Sequence, residues 1–165
     1  MTAMWDKFVN LLNQTLLIYQ ALLQLSRKKR EILVEAKPQE LEQLTKQEEM
    51  LIIEAGKLDK LRQTLTGELA AALGLPPGQT VLSVLIERAD TETAAKLRTV
   101  SETFTEINDE LLKLNELNER LIQQSLEFIN FNINVLSQNK AEPTYAAKGQ
   151  SELNGAGRSI LDTKV

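Results

Sequence analysis

Residues 5–23 of the chain read WDKFVNLLNQTLLIYQALL. The large apolar residues in this stretch recur in alternating steps of four and three, at Trp5, Val9, Leu12, Leu16, Tyr19 and Leu23. This spacing places their side chains in one stripe along a single face of an α-helix. Further apolar residues such as Phe8 and Ile18 widen the stripe beyond the seam of two helices. The pattern therefore predicts a first helix, from about Thr2 to Glu35, that contacts more than one neighbour.

A second helix is predicted after Lys37-Pro38, because proline disfavours the helical conformation in the residue before it and fits the first turn of a new helix. The three-and-four spacing then resumes at Leu41, Leu44, Glu48, Leu51, Ala55, Leu58, Arg62, Leu65, Leu69 and Ala72. Such a run, with two charged interruptions, is typical of a coiled-coil strand. The short connection predicts that the two helices form an antiparallel hairpin.

The clearest turn is LGLPPG at residues 73–78, where a glycine suits a helix C-cap and two prolines prevent continuation. A short helix is predicted over Val81 to Arg88, and the side chains of Asp90 and Thr91 can cap the helix that follows. This third long helix, from Thr91 to Ser137, would be roughly 70 Å long. We therefore expect an all-α fold, an elongated antiparallel helical bundle or coiled coil of three long helices and one short helix.

The composition changes from Gln138 onward to polar residues, glycine and proline with no apolar period. The sequence therefore predicts a helical bundle domain over residues 1–137 and an extended, flexible C-terminal tail over residues 138–165. Tyr145, Ile160 and Leu161 stand out in this tail as sparse apolar anchors that a partner protein can capture.

Composition and charge exclude several classes of function. The net charge is −4, with 23 acidic and 19 basic residues interspersed, so no basic stripe is available for nucleic acid. The only basic run, residues 27–30, is interpreted as a solvated helical turn, and contact with acidic lipid or an acidic protein component is the alternative. The chain has no cysteine and no histidine, which removes disulfides, imidazole bases and most transition-metal ligand sets. We predict no catalytic residues, no cofactor and no metal site, and hence a protein that is not an enzyme.

Targeting signals are also missing from the sequence pattern. The first ten residues, MTAMWDKFVN, lack a basic segment followed by a continuous apolar core. No later stretch reaches the length of about 18 uncharged apolar residues that a membrane span requires. The sequence predicts a cytoplasmic protein without membrane insertion.

The third long helix carries polar residues in its seam at intervals of seven, at Asn118, Ser125 and Asn132, with Leu121 and Phe128 between them. Asparagine in a helical seam can specify register or partner at a cost in stability. This face is either solvated at its distal end or an interface that awaits a partner helix. Apolar residues at nearly every second position of residues 128–135 indicate either an exposed binding patch or a core that faces two helices.

The chain resembles the FlgN family of flagellar type III export chaperones. The resemblance rests on KQEEML at residues 46–51 with Arg62, on LNELNERLI at residues 114–122, and on the tail elements YAAKGQ at 145–150 and RSILD at 158–162. It spans essentially the whole chain. It implies a bundle that binds the C-terminal helical segments of hook-associated, or hook-filament junction, proteins. It also implies that the bundle prevents their premature assembly and delivers them to the flagellar export gate.

The seam pattern and the resemblance together give two sets of candidate residues. The client-binding candidates lie in the distal part of the third long helix and are Asn115, Asn118, Leu121, Ile122, Ser125, Phe128, Ile129 and Asn132. The candidates for docking on the export gate lie in the tail and are Tyr145, Ile160 and Leu161. A structural coiled coil that self-assembles without a client is the alternative function, and a homodimer is left open. An enzyme that uses carboxylates alone would need a cleft-forming loop, which the short connections do not supply.

Overall fold

The computed structural model describes residues 1–76 and 80–139. The regular structure within these residues is four helices, α1 (Thr2–Val34), α2 (Pro38–Ala72), α3 (Leu82–Arg88) and α4 (Thr91–Asn139). The predicted all-α fold with three long helices and one short helix is confirmed. The chain divides into two units, Met1–Glu127 and Phe128–Val165. The predicted tail lies outside the described residues except for residues 138 and 139, which end α4, so the division at 137 stays a prediction.

The connection between α1 and α2 is a tight C-capping turn. The N–H of Ala36 donates to the carbonyl of Leu33 at 3.3 Å, and the N–H of Lys37 donates to the carbonyl of Ile32 at 3.2 Å. This pattern is the Schellman motif, which places the residue after the C-cap in the left-handed conformation. Ala36 accordingly has φ +54° although it is not glycine. Pro38 then begins α2 at the position where its missing N–H is harmless.

The end of α2 forms a second Schellman motif, here with a glycine at the left-handed position. Gly74 has φ +66°, its N–H donates to the carbonyl of Ala71 at 3.2 Å, and the N–H of Leu75 donates to the carbonyl of Ala70 at 2.9 Å. The prediction of a glycine-capped helix end is confirmed. Because glycine has no Cβ, it adopts this conformation without steric cost.

A buried apolar cluster joins all four helices at one end of the first unit. Its members are Trp5, Phe8 and Val9 of α1, Leu69 of α2, Leu85 of α3 and Leu97 of α4. Each fully buried side chain of this kind contributes about 1.5–3 kcal/mol relative to its exposed state. The short helix α3 therefore serves to close this end of the core.

Contacts along α1 give the direction of its neighbours. The start of α1 (Trp5) shares the cluster with the end of α2 (Leu69), and Lys29 near the end of α1 pairs with Glu48 in the first half of α2. The two helices are therefore antiparallel, as the sequence predicts. α4 runs parallel to α1. Leu97, near the start of α4, lies in the apolar cluster with the start of α1, and Asn118, further along α4, lies beside Ser26, which is further along α1.

Candidate functional site

An open groove lies between α2 and α4 in the first unit, with α1 as its floor. Its volume is about 940 Å³. Leu22 and Lys29 of α1 line the floor, Ile52 and Gly56 belong to the α2 wall, and Ile122 belongs to the α4 wall. Of these, Ile52, Gly56 and Ile122 are exposed. Since α1 contacts both other long helices, the groove is the position that a further helix would fill to complete the bundle.

Part of the α2 wall is formed by small residues, which project little into the groove. Ala55 and Gly56 both line the groove, and a Cβ added to Gly56 would meet no atom within 4 Å. A small residue on a helix surface lets another backbone approach closely. This part of α2 can therefore accept an incoming helix without rearrangement of its own side chains.

A polar cluster links α1 and α4 beside the groove. The amide nitrogen (Nδ2) of Asn118 donates to the main-chain carbonyl of Ser26 at 3.0 Å and to the Ser26 hydroxyl at 3.2 Å. The Ser26 hydroxyl in turn donates to the amide oxygen (Oδ1) of Asn115 at 3.1 Å. Asn118 is only 3% exposed, and its Oδ1 has no hydrogen-bond partner among the described residues. The cluster fixes the register of α4 against α1.

Charged residues of the predicted basic run also take part in helix packing. Lys29 is half-buried and forms an ion pair with Glu48, one of the two charged interruptions in the α2 repeat. Arg27 is exposed and pairs with Glu110 of α4, with its Nε donating at 3.0 Å. Lys28 and Arg30 are also exposed, so the interpretation of residues 27–30 as a solvated turn holds for all of the run except the half-buried Lys29.

The second charged interruption in α2, Arg62, is held within its own helix. Its Nε donates to the carboxylate of Asp59 at 2.9 Å, and Gln63 donates to the other oxygen of that carboxylate at 2.8 Å. The hydrogen bond from Arg62 lowers the pKa of the Asp59 carboxyl below its usual range. Asp59 lines the groove, so a paired and ionised carboxylate lies at its margin. No cluster of potential metal ligands is found among the described residues.

The predicted client-binding residues of the first unit occupy different environments. Asn115, Asn118 and Ile122 line the groove. Leu121 is half-buried, and the exposed Ser125 donates its hydroxyl to the carbonyl of Leu121, four residues earlier in the same helix. The repeat at intervals of seven therefore does not form one uniform seam, because Asn118 is buried against α1 while Ser125 faces solvent.

The second unit carries an exposed apolar surface of its own. Phe128 is 67% exposed, Ile129 and Phe131 are also exposed, and Asn132 is half-buried. The remaining predicted site residues, Tyr145, Ile160 and Leu161, lie outside the described residues. The described part of this unit thus presents large hydrophobic side chains to solvent, which is the property expected of a binding segment.

The α2 wall of the groove was not predicted. The sequence signal lies in MLII at residues 50–53, because four consecutive apolar residues on a helix point in all directions and cannot all face one partner. Ile52 is 59% exposed and lines the groove, whereas its neighbour Ile53 is 60% exposed and lines a different open surface, of about 960 Å³, formed by α1 and α2. These adjacent residues therefore match in type and exposure but differ in location.

No helix among the described residues combines the length and the hydrophobicity that crossing a bilayer requires. Searches of curated proteins and of solved structures gave no match. The model of the family described as "FlgN protein" matches residues 1–152, which is nearly the whole chain. The proteins of this family are flagellar export chaperones that bind hook-associated proteins. The chain therefore belongs to the FlgN family.

Proposed function

We propose that the groove between α2 and α4 binds an amphipathic helix from the C-terminal segment of a hook-associated protein. In this function the chain acts in the cytoplasm, keeps its client from assembling prematurely and delivers it to the flagellar export gate. The observation that carries the proposal is the open groove itself, where Ile52 of α2 and Ile122 of α4 are exposed on opposite walls. Membership of a family that binds hook-associated proteins supports this choice of client.

The physical basis is the helix-in-groove mode of recognition. A protein that assembles through amphipathic terminal helices exposes an apolar stripe before assembly, and a chaperone groove can cover that stripe. The groove also contains charged side chains, among them Lys29, Glu48 and Glu119. Covering such charged groups with a client removes their solvent, and this desolvation reduces the net affinity of an interface. A mixed lining is therefore suited to a client that must be released at the export gate.

The second unit is proposed to make a separate contact with the client. We assign this role to Phe128, Ile129 and Asn132, the first two because they are large hydrophobic residues exposed to solvent. Docking on the export gate is assigned to Tyr145, Ile160 and Leu161 by the resemblance of the tail elements to those of the family. Gate docking thus belongs to residues that are different from those of the groove.

A pair of glycine substitutions tests the groove. Gly56→Trp places a bulky side chain in the groove, whereas Gly67→Trp places the same side chain on α2 outside it, and a Cβ at either position meets no atom within 4 Å. Both variants should fold, since tryptophan is a better helix former than glycine. Pull-down of hook-associated proteins from the same organism should fail with Gly56→Trp and succeed with Gly67→Trp. Equal capture by both variants would refute a client site in the groove.

A further inference from the structure

A cavity of about 380 Å³ adjoins the groove inside the first unit. Tyr19, Ala55 and Asp59 line both spaces, so the cavity borders the groove at these three residues. We propose that this cavity is an anchor pocket that receives one large apolar side chain, most suitably an aromatic one, from the client helix. This inference rests on the proposed function, and it adds the side chain by which the client is recognised.

The sequence explains why the space exists. Ala55 stands in the α2 repeat between Leu51 and Leu58, and Ser101 stands in the α4 repeat between Leu97 and Phe104. Both small residues line the cavity. Protein interiors are normally packed as densely as crystals of small organic molecules. Two small side chains at seam positions that otherwise carry large ones therefore leave a void.

The chemistry of the lining favours an apolar occupant. The hydroxyl of Thr15 donates to the carbonyl of Leu11 at 2.9 Å, and the hydroxyl of Thr105 donates to the carbonyl of Ser101 at 2.9 Å. Arg62 at the margin is likewise bonded to Asp59. Since these polar groups already have partners within the protein, they do not require a polar ligand. The other lining residues include Leu12, Leu82 and Val100.

The size and shape of the cavity fit a large side chain. An apolar cavity of about 150 Å³ is enough to hold benzene, and this one is more than twice as large. The rings of Tyr19 and Phe104 both line it, with their centroids 4.6 Å apart and their planes inclined at 54°. Aromatic side chains pack well in offset or tilted arrangements against other rings. A client phenylalanine or tryptophan would therefore extend this aromatic pair.

The test fills the cavity without obstructing the groove. Ser101 lines the cavity but not the groove, so Ser101→Leu occupies the pocket alone, and Thr103→Leu on the same helix is the control outside both. Titration calorimetry with a purified hook-associated protein should give an affinity at least about tenfold weaker for Ser101→Leu, as expected for loss of a buried anchor. The melting temperature of Ser101→Leu alone should be unchanged or higher, because the leucine fills a void. If the position had a purely structural role, Ser101→Leu would instead lower the client affinity and the melting temperature together.

The outcomes separate this inference from the proposed function. Weak binding by both Ser101→Leu and Gly56→Trp supports the pocket and the groove. Normal binding by Ser101→Leu with weak binding by Gly56→Trp overturns the pocket and leaves the groove in place. Normal binding by both overturns both proposals. If Ser101→Leu lowers the melting temperature, Thr105→Leu, at an exposed position that lines the same cavity, replaces it in each comparison.

Discussion

The side-chain nitrogen of Asn118 in α4 lies 3.0 Å from the main-chain oxygen of Ser26 in α1 and donates a hydrogen bond to it. A main-chain carbonyl can only accept, so this bond fixes which way the Asn118 amide points. The amide oxygen is then left buried and without a partner among the described residues. Asn118 was predicted as a client contact on its place in the seam, and the structure adds that it joins two helices of the chaperone itself.

Loss of this bond should destabilise the fold. Asn118→Ala removes both donations to Ser26, and we expect the free energy of unfolding to fall by about 1–3 kcal/mol. Ser26→Ala keeps the main-chain acceptor and should cost about 1 kcal/mol or less. Urea denaturation followed by circular dichroism measures both values. A smaller loss for Asn118→Ala than for Ser26→Ala would show that the main-chain bond does not matter.

The two Schellman turns offer a matched pair of substitutions. Ala36 and Gly74 both follow a helix C-cap with positive φ, +54° and +66°. The left-handed conformation costs a residue with a Cβ about 1–2 kcal/mol, so Ala36→Gly should stabilise the protein by up to about 1 kcal/mol once the extra chain entropy of glycine is included. Gly74→Ala should destabilise it by a similar amount. Thermal unfolding measures both changes, and shifts of the same sign would contradict this reasoning.

The start of α4 should respond to acid. The Asp90 carboxylate accepts the N–H groups of Thr93 at 3.0 Å and Glu92 at 3.1 Å, and the bond from Thr93 is the main cause that lowers the pKa of this carboxyl. Because the folded-state pKa is lower than the unfolded one, the carboxylate stabilises the fold above the unfolded value. That contribution disappears as the pH falls through the folded value, below about pH 4.

Asp90→Asn keeps an oxygen acceptor at the cap but does not titrate. We expect its melting temperature to fall less than that of the wild type between neutral pH and pH about 3. Asp90→Ala should lower the melting temperature already at neutral pH, because it removes the cap. Scans by circular dichroism at both pH values check this, and identical pH dependence of wild type and Asp90→Asn would refute the role of the carboxylate.

The exposed surface of the second unit should affect client binding and not stability. The double substitution Phe128→Ser with Ile129→Ser changes two exposed side chains, so the free energy of unfolding should stay within about 0.5 kcal/mol of the wild type. Client affinity should fall, because large apolar contacts are lost. Leu112→Ser, also exposed on α4 but outside the groove, is the control. Unchanged client affinity in the double variant would remove these two residues from the client site.

The helices and their ends could largely be predicted from the sequence because their signals are local. The three-and-four spacing, Pro38 and Gly74 mark where α2 begins and ends, and the structure places it at Pro38–Ala72. The left-handed conformation of Ala36 could not be predicted, because the usual signal for it is glycine. There the requirements of the hairpin override the preference of the residue.

The groove was harder to predict, because it depends on how α2 and α4 are arranged around α1. The repeat through Leu51, Ala55 and Leu58 identifies the residues of α2 on one stripe, but it does not say whether Ile52 beside them will be covered by α4. In the structure Ile52 remains exposed. The distal residues of α4 were predicted as client contacts, and of these Ile122 does line the groove. Their role in binding a client stays a prediction.

The most direct test of the client groove compares two neighbouring residues of α2. Ile52→Glu places a charge on the groove wall, whereas Ile53→Glu places it on the other surface at nearly equal exposure, 59% against 60%. The quantity to measure is the affinity for a purified hook-associated protein by titration calorimetry. We predict at least about tenfold weaker binding for Ile52→Glu and an affinity close to that of the wild type for Ile53→Glu. Equal affinities of the two variants, or a larger loss for Ile53→Glu, would contradict binding in the groove.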